Sequence, residues 1–191
     1  LVPSWRPSST CAGCFEASLD GQVAEVLGLR RDGVREIRAR FPNFDWHPTD
    51  PQKDSLASIA AYRDAAGLDN IMPPVALDAS ADKWPLDAAD TIVCINMVHI
   101  SPWSAAVGLF TGAGRILTSG APLVLYGPFI EPGRETAPSN LAFDQSLKQR
   151  NSEWGLRNTA DLDALAADHG LRRTARHAMP ANNLVLVYRC E

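Results

Sequence analysis

The strongest constraint on the fold is Thr91-Ile92-Val93-Cys94-Ile95, an unbroken apolar and β-branched run. A run that is apolar at every position has no face for solvent, so it suits a strand covered on both sides, as in a parallel sheet sandwiched by helices. It breaks at Asn96, passes His99 and reaches Ser101-Pro102-Trp103. Ser101 reads as a helix N-cap and Pro102 as the first helical residue, where proline's fixed φ and missing N–H do no harm. Strand, polar elbow and helix start thus follow directly on one another. In open α/β sheets ligands bind outside the carboxyl ends of the strands, which makes Asn96 and His99 the first candidates for chemistry.

The remaining segments alternate in the same way. Phe44-Asp45-Trp46 leads into His47-Pro48-Thr49-Asp50-Pro51, a short strand and a Pro-bracketed turn with an acid. Leu56, Ile59, Ala60 and Arg63 recur at helical spacing, and Gly67 is a natural stop. Pro74-Val75-Ala76-Leu77-Asp78 is a second short strand ending in an acid. A helix from Ser101 carries Val107, Phe110, Ile116 and Leu117 and ends near Gly120, before the buried strand Pro122 to Pro128. A Gly/Pro-punctuated loop with Arg134, Glu135 and Thr136 precedes a helix capped by Ser139, with Leu141, Phe143 and Leu147 on it. Thr159 caps the next helix, with Leu162, Leu165 and Ala166 inward and Gly170 past its end. Two runs around Pro180-Ala181-Asn182-Asn183 close the chain as an antiparallel hairpin. Such alternation implies an α/β fold with a mostly parallel sheet.

A length of 191 residues fits one domain, and the net charge of −4 offers no general attraction to nucleic acid or anionic membranes. No apolar run approaches the roughly 20 residues needed to span a bilayer, and the start lacks the apolar core of a secretory signal. The expectation is a cytoplasmic protein of unknown oligomeric state. Cys11 and Cys14 form a lone C-x-x-C, but a tetrahedral zinc needs four ligands and no second pair stands at suitable spacing. The expectation is that no metal is bound. The pattern G-x-G-x-x-G of dinucleotide enzymes and the G-x-S-x-G elbow of hydrolases are both absent.

Several longer strings carry a resemblance. They are Asp45-Trp46-His47-Pro48-Thr49-Asp50, Ser58 to Arg63, Cys94 to Trp103, Leu125 to Phe129, Thr136-Ala137-Pro138-Ser139-Asn140 and Met179 to Leu184. Together, from about Phe41 to Arg189, they resemble the small methyltransferase-like 26 family, within the class I S-adenosylmethionine-dependent methyltransferases of Rossmann-like sandwich fold. The resemblance implies S-adenosylmethionine as cofactor and methyl transfer to an acceptor that is a small or unknown molecule. It also implies cofactor contacts for Asp50, on the ribose hydroxyls, and Asp78, at the adenine amino group. Asn96 and His99 would face the methyl donor and acceptor, with His99 as a base where the acceptor must lose a proton. An alternative leaves His99 holding the elbow together. Tyr126, Arg134, Ser139 and Asn140 would line the acceptor side.

The chain departs from that pattern near its start. A strand ending in an acid and a glycine-rich turn should precede Phe41. Instead it has Glu25-Val26-Leu27-Gly28-Leu29-Arg30-Arg31-Asp32-Gly33. Glu25 and Gly28 are the remnants assigned to the cofactor. Residues 1–40 therefore read as a divergent or poorly ordered segment, with the methyltransferase-like domain at 41–191 and a degenerate first strand and turn. Two explanations stand: lost cofactor binding, or a displaced reading frame or start, of which the second is preferred. A non-catalytic protein that binds or scaffolds a partner on the same fold is the competing function.

Overall fold

A computed structural model describes residues 24–27, 44–67 and 69–191; for 24–27 it describes the backbone alone. The expectations for Cys11, Cys14, Gly28 and the arginine-rich turn after it lie outside the described residues. Among the described residues seven strands form one sheet in the order β3-β2-β1-β4-β5-β7-β6. They are β1 Ala24–Leu27, β2 Trp46–Asp50, β3 Val75–Ala76, β4 Thr91–Ile95, β5 Pro122–Gly127, β6 Leu171–Met179 and β7 Asn183–Cys190. The first five run parallel, and β7 is antiparallel to both β5 and β6. The helices among the described residues are α1 Lys53–Ala66, α2 Trp103–Ile116, α3 Pro138–Arg150 and α4 Thr159–Asp168. The fold is an α/β Rossmann-like sandwich.

The first strand is short but takes the central place. Ala24 to Leu27 pair with Trp46 to Thr49 on one side and with Thr91 to Cys94 on the other. No gap is therefore left between β2 and β4 whose edges would lie open. Strand β2 runs through Pro48, which the sequence reading treats as part of a turn. Trp46 bonds to Asn70 and Met72, and Asp50 accepts from Leu77, so the β3-side bonds skip Pro48. The missing proline N–H falls where the partner strand has not yet begun.

Strand β4 is buried on both faces. Ile92 and Cys94 join Leu123, Leu125, Leu186 and the inner residues of α2 and α4, whereas Val93 joins Trp46, Val124 and Val185 on the opposite face. On α2 the core residues are Ala105, Ala106, Leu109, Phe110, Ala113 and Ile116, at helical spacing. Gly112 belongs to the same buried face and Gly108 flanks it, and a Cβ on either would strike the Ala79 backbone or the Trp84 ring. The loop after β3 is thereby pressed onto α2.

Helix limits differ from the sequence reading in instructive ways. Pro102 occupies the cap of α2 rather than its first turn, and the Ser101 hydroxyl donates to Met97 O at 2.7 Å instead of capping. The helix stops at Ile116, whose carbonyl accepts from Ala89 N. Ala137, not Ser139, caps α3, and of its apolar residues Leu147 is buried while Leu141 and Phe143 are exposed. Asn158 caps α4, its side chain accepting from Ala160 N, so Thr159 is the first helical residue and is buried.

Candidate functional site

The carboxyl ends of β2, β3, β4 and β5 lie along one edge of the sheet. Asp50 is the last residue of β2 and half-buried, and its Oδ1 accepts from Gln52 N at 2.8 Å. Asp78 lies two residues past β3, exposed, with Oδ1 accepting from Ser80 N (2.9 Å) and Ser80 Oγ (2.7 Å). Both are Asx turns, in which a carboxylate closes its own chain reversal with one oxygen and leaves the other available. Glu25 is the second of four residues in β1, paired with His47 and Ile92, two positions before the strand's end. Its side chain and Gly28 lie outside the described residues.

The elbow after β4 is built differently. Asn96 has φ 60° and ψ −12°, a left-handed conformation that asparagine tolerates better than other residues carrying a Cβ. Its N–H donates to Tyr126 O at 2.9 Å and its carbonyl accepts from His99 N at 3.0 Å, which closes a 3₁₀ turn over Met97–His99. Its side chain is only half-buried.

His99 is fully buried, with its ring edge-on to Phe129 at 4.7 Å between centroids. Neither ring nitrogen has a hydrogen-bond partner among the described residues. Burial above all, and then the nearby Arg157 cation, push its pKa down to about 3, against the opposing pull of the Gly155 backbone and Asp144. The imidazole is therefore neutral at neutral pH. It can lie here because Gly127 has no side chain. A Cβ on Gly127 would stand 2.5 Å from His99 Nε2 and 3.1 Å from Asn96 Oδ1, so these two polar groups converge over the bare end of β5.

Tyr126, Ser139 and Asn140 are drawn into one network by the hairpin turn. Asn140 is buried and donates to Asn182 O at 2.9 Å, Asn182 Nδ2 donates to Ser139 Oγ at 3.2 Å, and Asn183 Nδ2 donates to Tyr126 OH at 3.0 Å. Ala181 and Asn182 both have φ 58°, and Asn183 N donates to Pro180 O, the pattern of a tight hairpin turn. Arg134 stays outside this network, exposed, with Nε 4.0 Å from Glu131 Oε2. Arg176 holds Glu131 with two bonds of 3.0 and 2.6 Å, and the Glu131 carboxyl is pushed below its usual range, chiefly by that pairing.

One residue of the elbow escapes a reading of local patterns. Arg157 donates to Val98 O (2.7 Å), Ser101 O (2.6 Å) and Glu153 O (3.1 Å), with its guanidinium over the Trp103 ring. No local signal marks it, since Arg157 lies 59 residues from its Val98 partner and on no helix or strand. A cleft of about 530 Å³ lies beside the Asp78 turn, lined by Ser80, Asp82, Trp84, Trp103, Thr111 and Arg115 among others. It does not include Asp50, Asp78 or the elbow residues Asn96 and His99. The polar side chains at the strand ends, rather than this cleft, therefore carry the chemical reading. Among the described residues no three His, Cys, Asp or Glu side chains group as metal ligands, and no helix is long and apolar enough to cross a membrane.

Comparison with known proteins bears on this arrangement. The profile of one family, described as a protein of unknown function (DUF938), matches residues 36–190. Among solved structures, the mitomycin 7-O-methyltransferase MmcR is similar at 18% identity and a TM-score of 0.78, over 94% of this chain and 53% of that one. An O-methyltransferase family protein from Burkholderia thailandensis is 13% identical, with a TM-score of 0.76 over 89% of this chain and 51% of that one. An O-methyltransferase family 2 protein from Planctomyces limnophilus DSM 3776, solved in complex with apigenin, is 17% identical, with a TM-score of 0.76 over 93% and 51%. The chain thus spans about half the length of these three, and at such identities the likeness is one of fold.

Proposed function

The chain belongs to the family of proteins of unknown function DUF938, and on that premise we propose that it is an S-adenosylmethionine-dependent methyltransferase. The observation that carries this reading is the strand order, which brings Asp50, Asp78 and Asn96 to one edge of the sheet from three parallel strands. The strings around Asp50, Asn96, Ser139 and Asn182 support the closer assignment to the methyltransferase-like 26 family.

The residues fit the cofactor at two of its three parts. The Asp50 carboxylate, one oxygen held by Gln52 N–H, keeps the other for a ribose hydroxyl. Asp78, fixed by Ser80, serves the adenine end. The methionine end would fall to the residues after Leu27, Gly28 among them. When bound, S-adenosylmethionine supplies an electrophilic methyl group on a sulfonium, so the protein's main tasks are alignment and exclusion of water. Asn96 carries the alignment: its half-buried amide faces the bare end of β5. The two roles open to His99 have different needs. A base needs a route for the proton, and a sealed ring without a partner supports the positioning role instead. Tyr126, Ser139 and Asn140 form the acceptor wall, with Arg134 at its rim.

A non-catalytic binding protein is the second reading, favoured by Leu29, Arg30 and Arg31 where a glycine-rich turn should approach the ligand. Isothermal titration separates the two. The first expects S-adenosylhomocysteine to bind with micromolar affinity; a folded chain giving no heat at millimolar ligand leaves only the second.

A further inference from the structure

The segment 151–158, between α3 and α4, is tied to the elbow on one side and to the exit of β5 on the other. Gly155 N donates to His99 O at 2.9 Å, Ile130 N to Arg157 O at 3.0 Å, and Thr159 N to Ile130 O at 2.9 Å. Arg157 lies at its centre. Its Nε and Nη2 reach Val98 O and Ser101 O, three residues apart, so one rigid guanidinium spans the elbow from the middle of the 3₁₀ turn to the residue just before the α2 cap. The third bond, to Glu153 O, closes the segment on itself. All its hydrogen bonds among the described residues go to carbonyls, and one face of the guanidinium covers Trp103. Asp144, the acid felt by both Arg157 and His99, already binds Lys148 Nζ and Leu156 N. A planar fork can meet two carbonyls at fixed separation, which the compact ammonium of lysine cannot do as well.

We propose that Arg157 is the positioning residue of the methyl-transfer site. By gripping the elbow at Val98 and Ser101 it holds the turn that presents Asn96 and keeps the His99 ring seated on Gly127. Its functional consequence rests on the methyltransferase reading above; its structural consequence does not.

The test uses the full chain with Arg157→Met and Arg157→Lys. In hydrogen–deuterium exchange, the His99 and Ile100 amides, which donate to Asn96 O and Met97 O, exchange about tenfold faster in Arg157→Met, a shift matching the loss of hydrogen bonds to a charged group. Amides of the β5–β7 ladder stay unchanged, and Arg157→Lys falls between. S-adenosylhomocysteine affinity, read by titration, drops about tenfold in Arg157→Met and is partly kept in Arg157→Lys. Unchanged exchange at His99 and Ile100, or an equal rise across β5–β7, overturns the proposal. Arg157→Lys decides alone where Arg157→Met does not fold. Should the unaltered chain fail to bind S-adenosylhomocysteine, the methyltransferase reading falls and the exchange result still judges the clamp.

Discussion

The two halves of the strand-end edge are held by different physics. At the ends of β2 and β3 each acid closes its own turn, Asp50 with Gln52 and Asp78 with Ser80, two residues away. At the ends of β4 and β5 the bonds reach far along the chain: Asn96 to Tyr126, His99 to Gly155, Arg157 to Val98, Asn140 to Asn182. The first half is exposed or half-exposed; the second encloses a fully buried histidine. Local turns leave carboxylates free for a ligand at little cost to stability. A packed elbow fixes geometry, and any misfit there is paid in folding free energy.

Four measurements test that contrast. The largest effect is expected for Gly127→Ala. The added Cβ would meet His99 Nε2 at 2.5 Å and Cδ2 at 2.8 Å in a filled site, so urea unfolding should show a loss of about 3 kcal/mol. A loss below half of that would mean the elbow yields easily.

Acid stability comes next. His99 is neutral in the fold, with a pKa near 3, and would titrate near 6.5 when unfolded. Its contribution is complete above pH 6.5 and is lost as pH falls toward 3, because protons then favour the unfolded chain. The expected loss is about 2 to 3 kcal/mol by pH 4.5. Denaturation across pH 4.5–7 should show this slope in the unaltered chain and a shallower one in His99→Gln; equal slopes would contradict it.

Ala181→Gly should act in the opposite direction. Alanine at φ 58° is strained, and glycine relieves that, for a gain of about 1 kcal/mol seen as a higher Tm. The smallest stability effect belongs to the donor half. Asp50→Asn should change folding by less than about 0.5 kcal/mol, while weakening S-adenosylhomocysteine about tenfold in titration. A large stability loss there would mean the acid serves the fold rather than a ligand.

The same contrast explains what could be read without a structure. Thr91–Ile95 announces a doubly covered strand because burial on two faces demands apolar residues at every position. Gly67 marks the end of α1 because a left-handed residue, at φ 60°, is needed there. Asp50 and Asp78 stand out because an acid at a strand end followed by a turn is a local pattern. Helix starts are harder. Ser101, Ser139 and Thr159 all have the composition of a cap, yet Pro102, Ala137 and Asn158 take those places. The Ser101 hydroxyl found a nearer partner in Met97 O, and only Asn158 supplies a side-chain oxygen to its helix.

Sequence periodicity and turn chemistry were thus enough for the α/β alternation, the terminal hairpin and the strand-end acids, all features settled within a few residues. The central place of β1 came from pairing with β2 and β4, since four residues carry too little pattern to announce a strand. The sealed, neutral state of His99 came from burial under Phe129 and Gly127, and the grip on the elbow from Arg157. These depend on contacts between segments tens of residues apart, where the free energy of burial and of long-range hydrogen bonds outweighs any local preference.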